Sequence, residues 1–190
     1  MFLDEFDAVA KLRDDVHELG ELKRVVVSLL QNIDALDSST VLIAATNHDH
    51  LLDPAIWRRF SYKIHMGLPT PAVRLSLFRK FLADFSTEKE LKDIAIVAEE
   101  LTGSDIRSIA QGALRSAVLD GKEKVDTADI FMRVLKVRIP QIDQASVSLK
   151  DRIRKTRDLD PKVFTIRRLS EIFHISTGQV STLLREKGES

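Results

Sequence analysis

The chain has 190 residues, balances 29 Lys and Arg against 29 Asp and Glu, and contains no cysteine. That length allows one full domain or one and a half small ones. An apolar fraction of 44% suffices for a core and excludes global disorder, while the lack of cysteine excludes a disulfide scaffold, a thiolate zinc site and a Cys nucleophile. No apolar run approaches the ~18–20 residues of a membrane span and no basic-then-apolar leader opens the chain, so a cytoplasmic protein with no membrane contact is expected. The zero net charge hides an asymmetry: residues 1–149 hold 19 basic and 23 acidic residues, residues 150–190 hold 10 and 6. The tail is chemically a different piece.

Phe2-Leu3 followed by Asp4-Glu5 is a short apolar run ending in two acids, the pattern of a buried strand that empties into a site. Residues 5–13 are expected to form a short helix, with a charged loop to about residue 18. Leu22, Val25, Val26, Leu29, Leu30, Ile33 and Leu36 recur at helical steps and predict one apolar face, stopped by Asp37-Ser38-Ser39. Residues 40–46 form a β-rich apolar run expected to be buried on both faces, as in parallel sheets. Pro54 fits the first turn of a short helix through Arg59, capped by Asp53. Residues 61–66 read as another strand, and Gly67-Leu68-Pro69-Thr70-Pro71 as a subdomain hinge. After the hinge the pattern is all helical. Apolar stripes predict helices over about 71–84, 88–100, from just after Gly103 (with Ser104 as cap) to Asp120-Gly121, and 127–138. Four such stripes make a small bundle. Residues 141–160 read as a linker with some helix.

Three short constellations carry chemistry. A carboxylate at a strand end can hold Mg²⁺, which is bound by one or two carboxylates plus phosphate oxygens; a second beside it can polarise an attacking water. An Asn ending the neighbouring strand, here Asn47, can orient that water or touch a γ-phosphate. Arginines such as Arg58 and Arg59 can stabilise charge developing in phosphoryl transfer, an effect worth ~10³–10⁵ in rate when supplied in trans. Singly each pattern is weak: a strand-end acid or an Arg pair is more often a solvated surface. Their order is the stronger signal.

That order resembles the AAA+ ATPases, specifically the classical AAA clade, over about residues 1–138. Phe2-Leu3-Asp4-Glu5 resembles the Walker B strand, Val41 to Asn47 the sensor-1 strand, and Leu52-Asp53-Pro54-Ala55-Ile56-Trp57-Arg58-Arg59-Phe60 the arginine-finger helix. Gly103-Ser104-Asp105-Ile106 resembles the element that opens a lid helix near the adenine. The resemblance implies Asp4 as the Mg²⁺ carboxylate, Glu5 as the water activator, Asn47 as sensor, Arg58 and Arg59 as fingers on a neighbour's ATP, and Gly103, Ser104 and Asp105 at the nucleotide. It implies a ring homo-oligomer, commonly a hexamer, acting on a protein or nucleoprotein client. The expected fold is α/β, a truncated P-loop three-layer αβα core over 1–66. A helical lid over 67–139, a linker over 140–160 and a helix-turn-helix-like tail over 161–190 complete it.

One departure is large. In the family the Walker A loop, two strands and the first pore loop precede Walker B, and no Gly-x-x-x-x-Gly-Lys-Ser/Thr occurs in this sequence. The family's sheet order is 2-3-4-1-5, so the missing strand 1 would lie between the Asn47 strand and residues 61–66, leaving the latter without a neighbour. The chain therefore reads as the C-terminal portion of such a protein, whether through a truncated gene prediction, a split gene or a cloned fragment. Alone it is expected to hydrolyse no ATP, having no phosphate cradle. His48-Asp49-His50 with Asp53 nearby admits a zinc reading, but no further ligand cluster accompanies them and a polar loop is the simpler reading.

The tail supplies a second constellation. Residues 165–173 read as a short helix, His174-Ile175-Ser176 as a turn, and 177–185 as a second helix capped by Ser176. Leu169, Phe173, Ile175, Val180 and Leu183 resemble the small core of the helix-turn-helix of bacterial regulators. Position 174 there needs positive φ, which His tolerates better than most residues. The resemblance implies DNA contact by the second helix through Thr177, Gln179, Ser181 and Thr182, with Arg167, Arg168, Arg185 and Lys187 on phosphates. The other reading is a helical hairpin that packs on the lid or contacts protein. Two functions follow for the whole: the hydrolytic core, lid and finger part of an AAA+ machine, or a non-hydrolysing regulatory or DNA-binding module that keeps the lid and tail.

Overall fold

The computed structural model describes residues 1–7, 19–37, 39–82 and 87–185, which group into two compact units, Met1–His65 and Met66–Ser190. The helix expected over 5–13 lies largely outside the described residues.

In the first unit, β1 (Phe2–Leu3) and β2 (Ile43–Ala44) pair in parallel, Phe2 against Ile43 and Leu3 against Ala44. Bonds from Ala45 N to Leu3 O (2.8 Å) and from Phe6 N to Ala45 O (2.9 Å) carry the pairing past both strand ends. Helix α1 (Leu19–Asp34) ends where predicted: Asp37 Oδ1 accepts from Ser39 N at 3.0 Å. Its Val26, Leu29, Leu30 and Ile33 pack on a small core of Phe6, Leu52 and Ile56, joined by Leu3, Ala44, Trp57 and Phe60. Val25 and Val27 stay exposed, so the buried stripe is narrower than the sequence suggests. Helix α2 (Pro54–Trp57) starts as expected, Asp53 Oδ1 accepting from Ala55 N at 2.7 Å with Pro54 in the first turn.

Two strand expectations fail for one physical reason. Val41 and Ile43 are 71% and 55% exposed rather than buried on both faces, and residues 61–66 form no ladder, with Tyr62 and Ile64 almost fully exposed. A strand needs at least one neighbour to pair its backbone N–H and C=O groups, and among the described residues only β1 and β2 pair.

The second unit is helical throughout: α3 (Pro71–Leu82), α4 (Glu88–Val97), α5 (Gly103–Leu119), α6 (Thr127–Arg138), α7 (Leu149–Leu159), α8 (Ile166–Phe173) and α9 (Thr177–Arg185). The hinge is stapled to the bundle by buried Arg74, whose Nε donates to Ala95 O (2.8 Å) and whose Nη1 donates to Pro69 O (3.0 Å). Thr87 with Glu90 and Thr102 with Asp105 form reciprocal capping boxes that start α4 and α5. Ser104 is therefore not the cap of α5; Thr102 is, and the helix begins at Gly103. Gly121, at φ +65°, takes the left-handed position after α5 where a side chain would be strained.

The tail does not stand apart from the lid. Ile153, Val163, Phe164, Leu169, Ile172 and Val180 are buried in the same core as Phe78, Ile106 and Phe131, and the rings of Phe131 and Phe164 meet edge to face at 5.6 Å. The expected linker contains α7, in which Ile153 and Thr156 are buried. Its surplus of Arg, Lys and Asp hid the helix, because so few inward apolar residues leave the stripe faint.

Candidate functional site

The parallel pair sets the geometry of the first unit. Asp4 and Glu5 leave the C-terminal end of β1, and Thr46 and Asn47 leave the same end of β2; this is where open parallel sheets present ligand sites. Asp4 Oδ1 accepts from Glu5 N at 2.9 Å. Glu5 sits at φ 49°, the left-handed region that non-glycine residues rarely adopt. Both acids and Asn47 are exposed. Thr46 ties the two strand exits together: its hydroxyl donates to Asp7 Oδ1 at 2.7 Å and accepts from His48 N at 3.0 Å. Sequence reasoning missed that clamp; its only signal was a hydroxyl beside Asn47 and a third acid after the pair.

The two arginines differ. Phe60 packs edge to face on Phe6 at 5.8 Å, fixing the segment after α2 to the segment after β1. Arg59 then turns back on its own unit: Nε and Nη2 donate to Asp34 Oδ1 and Oδ2, both at 2.7 Å, and Nη1 donates to Ala55 O at 2.9 Å. The hydrogen bonds from Arg59 hold the Asp34 carboxyl below its ordinary range, and those to Asp34 raise Arg59. The Arg58 side chain is exposed and makes no hydrogen bond or ion pair with any described residue. Trp57 donates from Nε1 to Asp49 O (3.2 Å) and lies under Lys63 Nζ at 4.7 Å, an aromatic used in local packing.

The donor set suits a magnesium ion held largely by phosphate oxygens: one strand-end carboxylate with an acid beside it, in the open. Among the described residues no three His, Cys, Asp or Glu side chains converge as a protein-built metal cage would need. The rings of His48 and His50 meet edge to face at 6.0 Å.

In the second unit, Gly103, Ser104 and Asp105 form the first turn of α5. Asp105 Oδ2 accepts from Thr102 N (2.9 Å) and from Thr102 Oγ1 (2.6 Å), so this carboxylate starts the helix. In the tail, His174 takes φ 53°, ψ 43°, the left-handed turn expected between α8 and α9. Ser176 caps α9 with Gln179 as its reciprocal partner: Ser176 Oγ accepts from Gln179 N (3.2 Å) and Gln179 Oε1 from Ser176 N (2.9 Å). Thr182 Oγ1 donates back to Gly178 O, and Thr177 is exposed. Arg167 projects into solvent beside Glu171. Arg168 departs from the expectation that it meets phosphate. Its Nη1 donates to Asp93 Oδ2 (2.9 Å) and Val163 O (3.1 Å), and its guanidinium lies over Phe131 at 4.7 Å. Through Nη1 and its ring contact it fastens α8 to α4 and α6. Ser181 and Arg185 line a cavity with α7. Lys187 lies outside the described residues.

Residues 1–68 match the family described as "ATPase family associated with various cellular activities (AAA)". A proteasome-activating nucleotidase of Methanococcus vannielii is 36% identical over 144 residues, covering 72% of this chain and 35% of its own. An uncharacterized AAA family ATPase of Sinorhizobium fredii is 37% identical over 139 residues, 72% of this chain and 41% of its own. A proteasome-activating nucleotidase of Saccharolobus solfataricus is 31% identical over 163 residues, 82% and 41% respectively. The chain thus spans roughly two fifths of the length of the curated relatives it matches.

Proposed function

We infer that this chain, a member of the AAA ATPase family through residues 1–68, is the part of an ATP-hydrolysing machine that carries Walker B, sensor 1, an arginine finger and the lid. The machine is a ring homo-oligomer, with a hexamer the first expectation, that remodels a protein client. The observation that carries this reading is the delivery of Asp4, Glu5 and Asn47 to one end of a parallel strand pair, with the Arg58 segment anchored to it through Phe60 and Phe6.

Bound Mg²⁺–ATP supplies the electrophilic phosphorus. Asp4 would hold the ion through its carboxylate. Glu5, exposed at the strand exit, would accept the proton of the attacking water, and Asn47 would fix that water's orientation. Arg59 is occupied by Asp34, so Arg58 is the side chain left to reach a neighbouring subunit's phosphates. Thr46, bridging Asp7 and His48, would hold the strand exit from which Asn47 leaves.

The test is a chimera that joins the Walker A segment of a proteasome-activating nucleotidase ahead of residue 1. The chimera should hydrolyse ATP; Glu5→Gln should bind nucleotide without turnover. Arg58→Ala should abolish turnover and recover in part when mixed with Glu5→Gln subunits, because a finger acts across an interface. Failure of mixing to rescue would overturn the trans role. The 190-residue chain alone should show no Glu5-dependent hydrolysis.

The second reading, a non-hydrolysing regulatory or DNA-binding module, draws support from the left-handed His174 and the capped α9. It loses Arg168 as a phosphate contact. The DNA encoding the region upstream of residue 1 separates the two: an in-frame or frameshifted Gly-x-x-x-x-Gly-Lys-Thr favours the first.

A further inference from the structure

Half of the six arginines in residues 150–190 are already provided with acceptors. Arg152 donates to Val147 O and Gln144 O, Arg167 pairs with Glu171, and Arg168 with Asp93. Three are not. The side chains of Arg154 and Arg157, one helical turn apart on α7, and of Arg185 at the end of α9 make no hydrogen bond or ion pair with any described residue. These three converge on one cavity of about 490 Å³, which Ser181 and Asp158 also line and to which Ile166 and Leu184 give apolar walls.

Arg157 adds a donor that the fold itself leaves unsatisfied. Its Nη1 is shut off from solvent with no hydrogen-bond partner. A guanidinium does not deprotonate in proteins, so burial cannot be relieved by loss of charge. A desolvated cationic donor without an acceptor is costly. Among the described residues Asp158 is the single acid lining the cavity, against three arginines. The cavity therefore favours an anion. Three arginines from two helices, with a serine hydroxyl, suit a tetrahedral group with several acceptor oxygens better than a flat carboxylate, which one guanidinium satisfies. The volume exceeds a lone phosphate and leaves room for the group attached to it.

We propose that the cavity between α7 and α9 binds a phosphate group, carried by a nucleotide or by a nucleic-acid backbone. The site is separate from Asp4, Glu5 and Asn47 and does not depend on their ATPase reading. It also keeps Arg185 as a phosphate contact of the tail and replaces Arg167 and Arg168 with Arg154 and Arg157.

The test uses the full 190-residue chain with pyrophosphate, ADP, citrate and a fluorescent 20-nucleotide DNA, single- and double-stranded. Pyrophosphate should raise the melting temperature saturably, and citrate should do so at least tenfold more weakly. Arg154→Gln with Arg185→Gln, both at the cavity rim, should weaken pyrophosphate binding at least tenfold; Arg167→Gln should leave it unchanged. Arg157→Met keeps volume and should abolish the shift while leaving the ligand-free melt intact or raised. If DNA is the source, pyrophosphate displaces it, and the slope of log affinity on log salt is about −2 to −3, falling by about one for each arginine removed. If a nucleotide is the source, ADP binds with the same arginine dependence and DNA does not. Nucleotide held by the AAA segment would survive the Arg154 and Arg185 changes, so the two readings fail separately. No binding of pyrophosphate at low salt, binding indifferent to the double variant, or citrate binding as tightly as pyrophosphate would overturn the proposal.

Discussion

Arg58 and Arg59 are adjacent and chemically identical, yet the fold gives them different work. Arg59 is held in a fork on Asp34 with two 2.7 Å bonds, whereas Arg58 faces solvent. Arg59→Ala should lower the urea midpoint of the first unit's unfolding, and Arg58→Ala should leave it in place; tryptophan fluorescence from Trp57 reports both. The Asp34 pair also has a definite pH signature. The folded carboxyl lies below its unfolded value because Arg59 hydrogen-bonds its charged form. Its contribution is therefore present above the unfolded value near 4 and lost as pH falls through the folded one. The difference in midpoint between wild type and Asp34→Asn should shrink as pH falls below about 4; a difference that grows on acidification would reverse the assignment. Gly112 shows how magnitudes decide a sign. A Cβ there would stand 2.5 Å from Arg133 Nη1, so Gly112→Ala must displace a side chain bonded to Asp129 and Ser116. Helix propensity returns about 1 kcal/mol for Ala over Gly, close to what those bonds contribute, about 1 kcal/mol. The single change should be nearly neutral. The same change made in an Arg133→Ala background, where nothing is displaced, should stabilise by about 1 kcal/mol on thermal melting.

At the level of elements, what the sequence made legible was local. Asp53-Pro54, Asp37, the Asp120-Gly121 stop and the left-handed His174 all act through neighbours within four residues, and each sits as its chemistry requires. What remained hidden depended on distant partners. Residues 61–66 have strand composition and no strand to pair with, and the exposed Val41 and Ile43 share that cause. Of the candidate site, the strand-exit acids and Asn47 were legible because two parallel strands fix their exits. The split between Arg58 and Arg59 was not, because it turns on Asp34, 25 residues away. Arg168 is the clearest case: its sequence neighbourhood suggests phosphate, while its partner Asp93 lies 75 residues off. The pair is only about one-fifth exposed, and Arg168 also donates to a carbonyl and covers Phe131. Arg168→Ala should therefore cost about 2 kcal/mol by urea denaturation, the scale of a charged hydrogen bond lost from a partly buried site. Arg167→Ala, whose side chain is 86% exposed, should cost no more than about 0.5 kcal/mol. Equal losses would mean that Arg168 is not the fastener.

Over the whole molecule, the two units differ in how well each closes on itself. The first buries Phe6, Leu52 and Ile56 and leaves Phe2, Val41 and Ile43 more than half exposed on its two-strand ladder. The second buries apolar residues from every one of its seven helices in one cluster, including Phe78, Phe131 and Phe164. Cooperative opening follows shared burial, because an element that leaves the core exposes its neighbours' apolar surface with its own. Amide exchange should therefore be slowest at Ile106–Val118 and fast at Val41–Ala45. Leu169–Ile172 should exchange with the α5 amides rather than as a frayed end, since freeing α8 strips Phe164 from Phe131 and Arg168 from Asp93 together. The outcomes discriminate. Protection at Val41–Ala45 equal to that of α5 would mean that another chain has supplied β2 with a partner strand. Fast exchange in α8 and α9 beside a slow α5 would mean that the tail opens alone as a hairpin. Joint protection makes the tail part of the lid's own core. Whatever moves that core then moves the arginine-lined cavity with it, because α7 and α9, which line the cavity, bury Ile153 and Val180 in the same core.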